Sequence, residues 1–328
     1  MPKNKGEVAT VTSTTNLGGW TNWALNEVSA RFDSGCIPFD DYSRECAADA
    51  MSAIYQLVQS TDKTDIGQID TSNLRDIVLR CASLKLSAKA QPREVYFQLR
   101  NKYMNGTWVK VVEMGVEGDG NDALLRNFGV NIQEVAKCWE VMEGDEFEYP
   151  KRKGFTVTPP EWTPKGLSSK TIRVVYPVLL ASGREEYLIS ERDSVKVNLL
   201  AHVRQNLLNE TFGIVTKKND ATAEQKALIK AKKEEILAPL RACETVDDML
   251  KVEAAKPYMS AAWLDNPEAM IVRKMRNNAI KRFPKSLNTI ANTSLLQMDE
   301  VYKTSREEIE EQENSVPFEV DEEVDFSE

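Results

Sequence analysis

The spacing of apolar residues changes twice along this chain, and no other feature of the sequence limits the fold as strongly. Residues 20–84 repeat apolar side chains at helical spacing, residues 94–189 alternate apolar and polar side chains, and helical spacing then returns. Helices followed by an antiparallel meander and then more helices are typical of the α+β class, so we predict a central antiparallel β-sheet flanked by helices. The first two apolar stripes consist of Ala47, Met51, Ile54, Tyr55 and Val58, and of Leu74, Ile77, Val78, Cys81 and Leu84.

Two hairpins are predicted in the alternating region. The stretches "REVYFQLRNK" and "WVKVVEM" flank the turn residues "NGT", and "KTIRVVYPVLLASGREEYLIS" turns at Ser182–Gly183. Between them, "GDGNDALLRNFG" predicts a turn that opens a short helix closed by Gly129. "VAKCWEVMEGDEFEY" and "GFTVTPPEW" are expected to form two more strands, with a turn at 143–145. Ser190 is predicted to cap the next helix. Thr71, Ser72 or Asn73 is expected to cap the helix that carries the second apolar stripe.

The negative charge of the chain is concentrated at one end. The net charge is -9, yet residues 299–328 alone contain thirteen acidic and two basic side chains, a balance of -11 that leaves about +2 for the rest. Such a tail buries too little apolar surface to offset its ordering entropy. It is either a solubilising tail or an interaction tail that competes with nucleic acid for basic surface. We therefore predict a flexible segment at 1–18, a core at 19–295 with a helical insertion at about 205–260, and an acidic, largely disordered tail at 296–328.

Composition excludes several classes of function. The chain has no run of 18 apolar residues and no apolar signal region near its first residue, which favours a cytoplasmic location without a membrane partner. Its five cysteines are scattered without a C-x-x-C pair, which argues against a disulfide framework and a zinc site. His202 is the only histidine, so a catalytic centre that needs a histidine base lacks its partners, and we predict that the chain is not an enzyme.

Two local motifs have alternative interpretations. "GVEGDGND" at 115–122 matches neither phosphate-binding glycine pattern and carries two carboxylates where phosphate would approach, so a turn that feeds a helix is favoured. Glu146 and Glu148 would share one face of a strand and, with Glu143 and Asp145, are candidate Mg²⁺ ligands of a nuclease. A solvated strand face explains them equally well, and the sequence requires no cofactor.

The most unusual stretch is "AMIVRKMRNNAIKRFPKSL" at 269–287, which has six basic side chains and no acidic one. On a helical wheel, four cations share one arc and an apolar arc lies opposite, with Arg282 inside the apolar arc. We predict a helix whose apolar side packs against the sheet while the other side presents a row of cations, a pattern that matches nucleic-acid phosphates. The cations are Arg273, Lys274, Arg276 and Lys281, next to Asn277, and the apolar residues are Ile271, Val272, Met275, Ala279 and Phe283.

The order of these segments resembles the RecT family of phage single-strand annealing proteins. The similarity covers about residues 70–287 and runs through "LRDIVLRCASLKLSAKAQPREVYFQLRNK", "VKVVEMGVEGDGNDALLRNFG", "VMEGDEFEY", "IRVVYPVLLASGREEYLIS" and "WLDNPEAMIVRKMRNNAIKRFPKSL". "VMEGDEFEY" is the most specific, being similar to the family's Arg-Glu-Gly-Asp-Glu-Phe run. The chain departs from the family where Lys85–Ala88 replaces a Gly-Leu-Glu-Pro turn, and where Val116 and Glu117 occupy the Gly-x-x-Gly loop.

The resemblance implies ATP-independent binding of single-stranded DNA, annealing of a complementary strand, and assembly into rings or helical filaments. It also implies a phage exonuclease and a host single-strand binding protein as partners, in the cytoplasm of a bacterial host. The alternative is a nucleic-acid-binding scaffold that does not anneal and whose acidic tail recruits partners. Base stacking is a candidate role for Trp108 and Trp263, although core packing is favoured for each. The candidate DNA contacts in the matched segments are Arg100, Lys102, Lys110, Arg126, Arg273, Lys274, Arg276 and Lys281.

Overall fold

Helices and strands follow one another as the change in spacing predicts, and the α+β class is confirmed. The computed structural model describes residues 16–61, 64–104, 107–216, 221–288 and 290–294. These residues form two compact units, the first made of residues 16–192 and 271–294 and the second of residues 193–270. Residues 1–15 and 295–328 lie outside the described residues, so the predictions for the first segment and for the acidic tail stay predictions.

Three helices open the first unit: α1 (Leu17–Ser34), α2 (Asp41–Gln59) and α3 (Thr71–Leu84). The two predicted apolar stripes are buried, except that Tyr55 is half-buried. The residue that caps α3 is Asp70, whose carboxylate accepts from the Asn73 backbone N–H at 2.8 Å, so none of the three predicted caps is correct. The Asn73 side chain instead joins α3 to the sheet through two hydrogen bonds with the Val112 backbone, at 3.1 and 2.7 Å.

The first predicted hairpin is present as β1 (Val95–Met104) and β2 (Thr107–Val116), paired antiparallel along their whole length. Its predicted turn residues Asn105 and Gly106 lie outside the described residues. Directly opposed residues share a face in an antiparallel pair, so the register assigns each side chain to one of two faces. One face carries Leu99 opposite Val112, and the other carries Arg100 opposite Val111.

The remaining strands divide among three small sheets. In the largest, β9 (Thr171–Leu180) pairs with β10 (Glu185–Glu191) along one edge and with β3 (Ile132–Val135) and β4 (Trp139–Met142) along the other. Two short antiparallel pairs complete the set: β5 (Glu146–Glu148) with β8 (Glu161–Thr163), and β6 (Arg152–Lys153) with β7 (Thr156–Val157). The predicted turns at 143–145 and 182–183 are confirmed.

Ser190 does not cap a helix, and that prediction is wrong. It lies within β10 opposite Val174, because the strand continues to Glu191 before a 3-10 turn at Arg192–Val195 leads into α5. The side chains of Tyr187 and Ser190 are the buried ones along this strand, so Ser190 occupies a buried strand position.

Helices α4 (Gly118–Phe128) and α9 (Pro267–Lys281) carry most of the candidate site, and α9 belongs to the first unit from Ile271 onward. Gly129 closes α4 as predicted. The chain beyond α9 is held against the end of α4, since Val130 N donates to Pro284 O at 3.0 Å and Ser286 N donates to Phe128 O at 2.7 Å. These bonds fix α9 relative to α4.

The second unit contains α5 (Lys196–Leu207), α6 (Ala223–Ala242), α7 (Val246–Met249), a 3-10 helix at Glu253–Tyr258, and α8 (Ala261–Leu264). Thr222 and Gln225 form a capping box at the start of α6. The helical insertion predicted at about 205–260 falls within this unit. None of the helices in the described ranges is long and apolar enough to cross a membrane.

Candidate nucleic-acid interface

The glycines of the 115–122 segment serve close packing. A Cβ on Gly115 would lie 2.2 Å from the Tyr96 ring, and one on Gly120 would lie 2.2 Å from the backbone oxygen of Glu94. A Cβ on Gly118 would lie 3.1 Å from Cγ of Arg273. Gly118 and Gly120 therefore bring the start of α4 against α9 and against the backbone just before β1, which agrees with the expectation of a turn that feeds a helix.

Arg276 points toward α4 and is bound there by carboxylates. Its guanidinium forms ion pairs with Asp119 at 2.9 Å and with Asp122, and its Nε donates to the Tyr176 hydroxyl at 2.9 Å. The Arg276 side chain is 23% exposed and that of Asp122 is 13% exposed. Burial disfavours the charged guanidinium, but the hydrogen bond to Tyr176 and the charge of Asp122 more than compensate and raise the pKa of Arg276. The prediction that all four cations of α9 form one outward row is wrong for Arg276, since acids from α4 neutralise it.

The other cations of α9 form a cluster with Arg93, which lies just before β1, and this cluster has a surplus of positive charge. We call it the outer cluster and define it as Arg93, Arg273, Lys274 and Lys281. Glu117 is the carboxylate that pairs here: its Oε1 accepts from Arg93 at 3.2 Å, and its Oε2 pairs with Arg273. Arg273 also has a buried Nε with no hydrogen-bond partner among the described residues. Burial lowers the pKa of Lys274, and the charges of Arg273 and Lys281 lower it further. A lysine held in this way among cations is stabilised by an incoming anion.

The candidate residues of the first hairpin lie on opposite faces. Arg100 and Lys102 share one face and are exposed, and Arg100 pairs with Glu113 at 3.2 Å. Lys110 lies on the other face and donates to the Thr64 hydroxyl. Trp108 shares that second face and is 69% exposed, which suits contact with a base better than core packing. A single DNA strand lying on one face of the hairpin therefore cannot contact all of these candidate residues.

Arg126 lies on α4 beside a polar cavity of about 410 Å³, whose lining also includes Glu94, Asp122, Lys137 and Arg276. Glu94 is 8% exposed, and its Oε2 accepts from the Ser87 backbone N–H at 2.8 Å. Burial raises the pKa of Glu94, although the Ser87 hydrogen bond and the charge of Arg126 oppose that shift. The charge of Arg126 thus acts partly on a buried carboxyl group.

The free energy of unfolding is expected to fall as pH rises above the ordinary pKa of Glu94, and Glu94→Gln should make that fall smaller. Because the folded-state pKa of Glu94 lies above its ordinary value of 4.5, its contribution is fully present below the unfolded pKa and is lost as pH rises through the folded pKa. Glutamine keeps an oxygen for Ser87 and does not ionise. Urea unfolding of both proteins over a pH series from acid to neutral measures the difference, and equal losses in both would contradict the burial of an ionising Glu94.

Trp263 packs in the core of the second unit with 1% exposure, so its indole offers no face to a base. The carboxylates considered for Mg²⁺ have other partners: Asp145 accepts from Trp162 Nε1 at 3.0 Å and from the Lys165 backbone at 2.8 Å, and Glu146 pairs with Lys165 Nζ at 2.9 Å. Across the described ranges, no three acidic, cysteine or histidine side chains cluster in a way that could hold a metal ion. In this structure Asp145 closes the turn of the most specific family-like motif.

Several residues of the site were not among the sequence candidates. Glu117, Asp122 and Tyr176 determine which cations of α9 are neutralised, and Arg93 adds a cation to the outer cluster. The acidic residues at the start of α4 were visible in the sequence, but only as an argument against phosphate binding. Comparison of the chain with protein-family models, curated proteins and solved structures gives no match.

Proposed function

We propose that this chain is an ATP-independent single-stranded DNA-binding and strand-annealing protein of phage recombination, acting in the cytoplasm of a bacterial host. The outer cluster is the observation that carries the proposal. Glu117 forms ion pairs with two of its four cations, Arg93 and Arg273. Burial and the charges of Arg273 and Lys281 lower the pKa of Lys274. The order of the family-like segments along the chain supports the same function.

The chemistry of the outer cluster fits contact with the phosphate backbone. Lysine and arginine side chains cancel the repulsion between two strands without reading base edges. A strand held by its phosphates therefore keeps its bases available for pairing with a complement. Annealing of this kind needs no nucleotide hydrolysis, and Mg²⁺ is compatible with it but not required. The proposal includes self-assembly into rings or filaments. It also includes two protein partners, a phage exonuclease and a host single-strand binding protein.

Binding of labelled oligo(dT) at several salt concentrations tests the proposal. Each phosphate neutralised on a single strand adds about 0.7 to the slope of log affinity against log salt, so we expect a slope of about 2 or more from the outer cluster. Intact label after incubation with Mg²⁺ or Mn²⁺ would exclude a metal nuclease. Absence of oligo(dT) binding at low salt would contradict the proposal.

The second candidate is a nucleic-acid-binding scaffold that does not anneal. The neutralisation of Arg276 favours it, because that contact removes one cation from the predicted row. Size-exclusion chromatography with and without oligonucleotide separates the two candidates: an annealing protein is expected to form larger assemblies, and a monomer in both conditions supports the scaffold.

A further inference from the structure

The hairpin formed by β6 and β7 is a second basic feature of the first unit. Its two-residue loop is Gly154–Phe155, between the paired residues Lys153 and Thr156. Gly154 has φ +60°, and glycine is favoured at the first loop position of a type II′ turn, which requires positive φ there. The local sequence "KRKGFTV" therefore fixes a tight turn with Phe155 at its tip.

The hairpin has one anchored side chain and one aromatic side chain in water. Val157 packs against the buried cluster of Val141, Val175 and Tyr187. Phe155 is 92% exposed, the highest exposure among the large apolar residues of the described ranges. Because the tight turn leads directly into β7, which Val157 anchors, Phe155 is held at the tip.

The cations of this hairpin are available to an anion. Arg152 and Lys153 are exposed, and neither forms an ion pair within the described part of the chain. Lys151 has only a long contact of 3.8 Å with Glu148, between two side chains that are both at least 70% exposed. Such a contact contributes little to stability and yields readily to a phosphate.

We propose that residues 151–157 form a base-stacking contact for single-stranded nucleic acid, in which Phe155 stacks on a base and Arg152 and Lys153 contact the flanking phosphates. The inference rests on the proposed function, because it gives the bound strand a second point of contact. An aromatic ring beside unpaired cations is the combination with which proteins hold single strands. A protein partner is less well suited, since a typical interface buries about 800 Å² on each side and this tip offers one apolar side chain.

The test compares oligo(dT) with an abasic strand of the same length, at one salt concentration, for the parent and for Phe155→Ala. We expect the parent to prefer oligo(dT), and Phe155→Ala to lose about tenfold in affinity for oligo(dT) with little change for the abasic strand, as for loss of one stacked base. Phe155→Trp should retain binding and show fluorescence quenching with oligo(dT). Leu167→Ala is the matched control, since it removes a 76% exposed apolar side chain from the same unit and should change neither affinity.

The outcomes separate this inference from the proposed function. If the parent binds oligo(dT) and Phe155→Ala binds it equally well, the stacking contact is wrong while the proposed function stands. If Phe155→Ala weakens both strands equally, the ring does not stack on a base, and the inference is also wrong. If the parent binds neither strand, the proposed function fails and this inference fails with it.

Discussion

Replacement of Arg276 by alanine is expected to lower the free energy of unfolding of the first unit by about 3 kcal/mol, the cost of removing one partner from a buried ion pair. The change leaves Asp119 and Asp122 close together without their shared cation, and the Tyr176 hydroxyl loses its donor. With the Asp122 side chain 13% exposed, water restores little of the lost interaction. Urea unfolding followed by tryptophan fluorescence measures the effect, because five of the six tryptophans lie in the first unit.

Two further variants make this result specific. Arg276→Lys keeps the charge but cannot contact two carboxylates and a hydroxyl through a planar fork, so we expect an intermediate loss. Arg282→Ala is the control: that side chain is exposed just beyond α9, and its removal should change stability by less than about 0.5 kcal/mol. If Arg276→Ala and the parent have the same free energy of unfolding, the contacts of Arg276 with α4 and β9 do not stabilise the first unit.

Replacement of Lys274 and Lys281 by glutamate is expected to abolish annealing and to weaken binding of single-stranded DNA by about a hundredfold or more at low salt. Both lysines belong to the outer cluster, where the charge of Lys281 contributes to the lowered pKa of Lys274. The milder pair of glutamine changes should lower the salt slope by about 1.4, because two phosphate contacts are lost on a single strand. Equilibrium binding of oligo(dT) across a salt series gives both quantities.

The control for this experiment makes the same change of charge elsewhere. Lys226 and Lys232 are exposed on α6 of the second unit, so glutamate at both positions matches the net charge without touching α9. Arg276 stays intact in every variant, because its loss would lower stability and confound the binding result. Undiminished binding by the variant with glutamate at 274 and 281 would exclude the outer cluster as the DNA contact.

The elements that sequence predicted well are those set by local periodicity. Apart from the half-buried Tyr55, the stripes of α2 and α3 are buried as predicted, because side chains three and four residues apart share a helix face whatever lies beyond it. The β1–β2 and β9–β10 hairpins follow from alternation and turn chemistry within about twenty residues. Caps were less well predicted, since Asp70 is one residue before the expected set.

The environment of α9 could not be predicted in the same way. A helical wheel shows that Arg273 and Arg276 share an arc, but not which element faces that arc. Asp122 is 154 residues from Arg276 in the sequence, and no local pattern links the two. Phe155 shows the same limit, because exposure of an aromatic side chain depends on which neighbour anchors the hairpin.

The rate of pairing between two complementary oligonucleotides, without nucleotide, tests the account most directly. We predict that the parent chain accelerates pairing at low salt, that acceleration falls as salt rises, and that the Lys274 and Lys281 glutamate variant does not accelerate it. The variant with glutamate at 226 and 232 should match the parent. If the parent binds oligo(dT) but the oligonucleotides pair at the uncatalysed rate in its presence, the annealing function is contradicted. The non-annealing scaffold is then the remaining candidate.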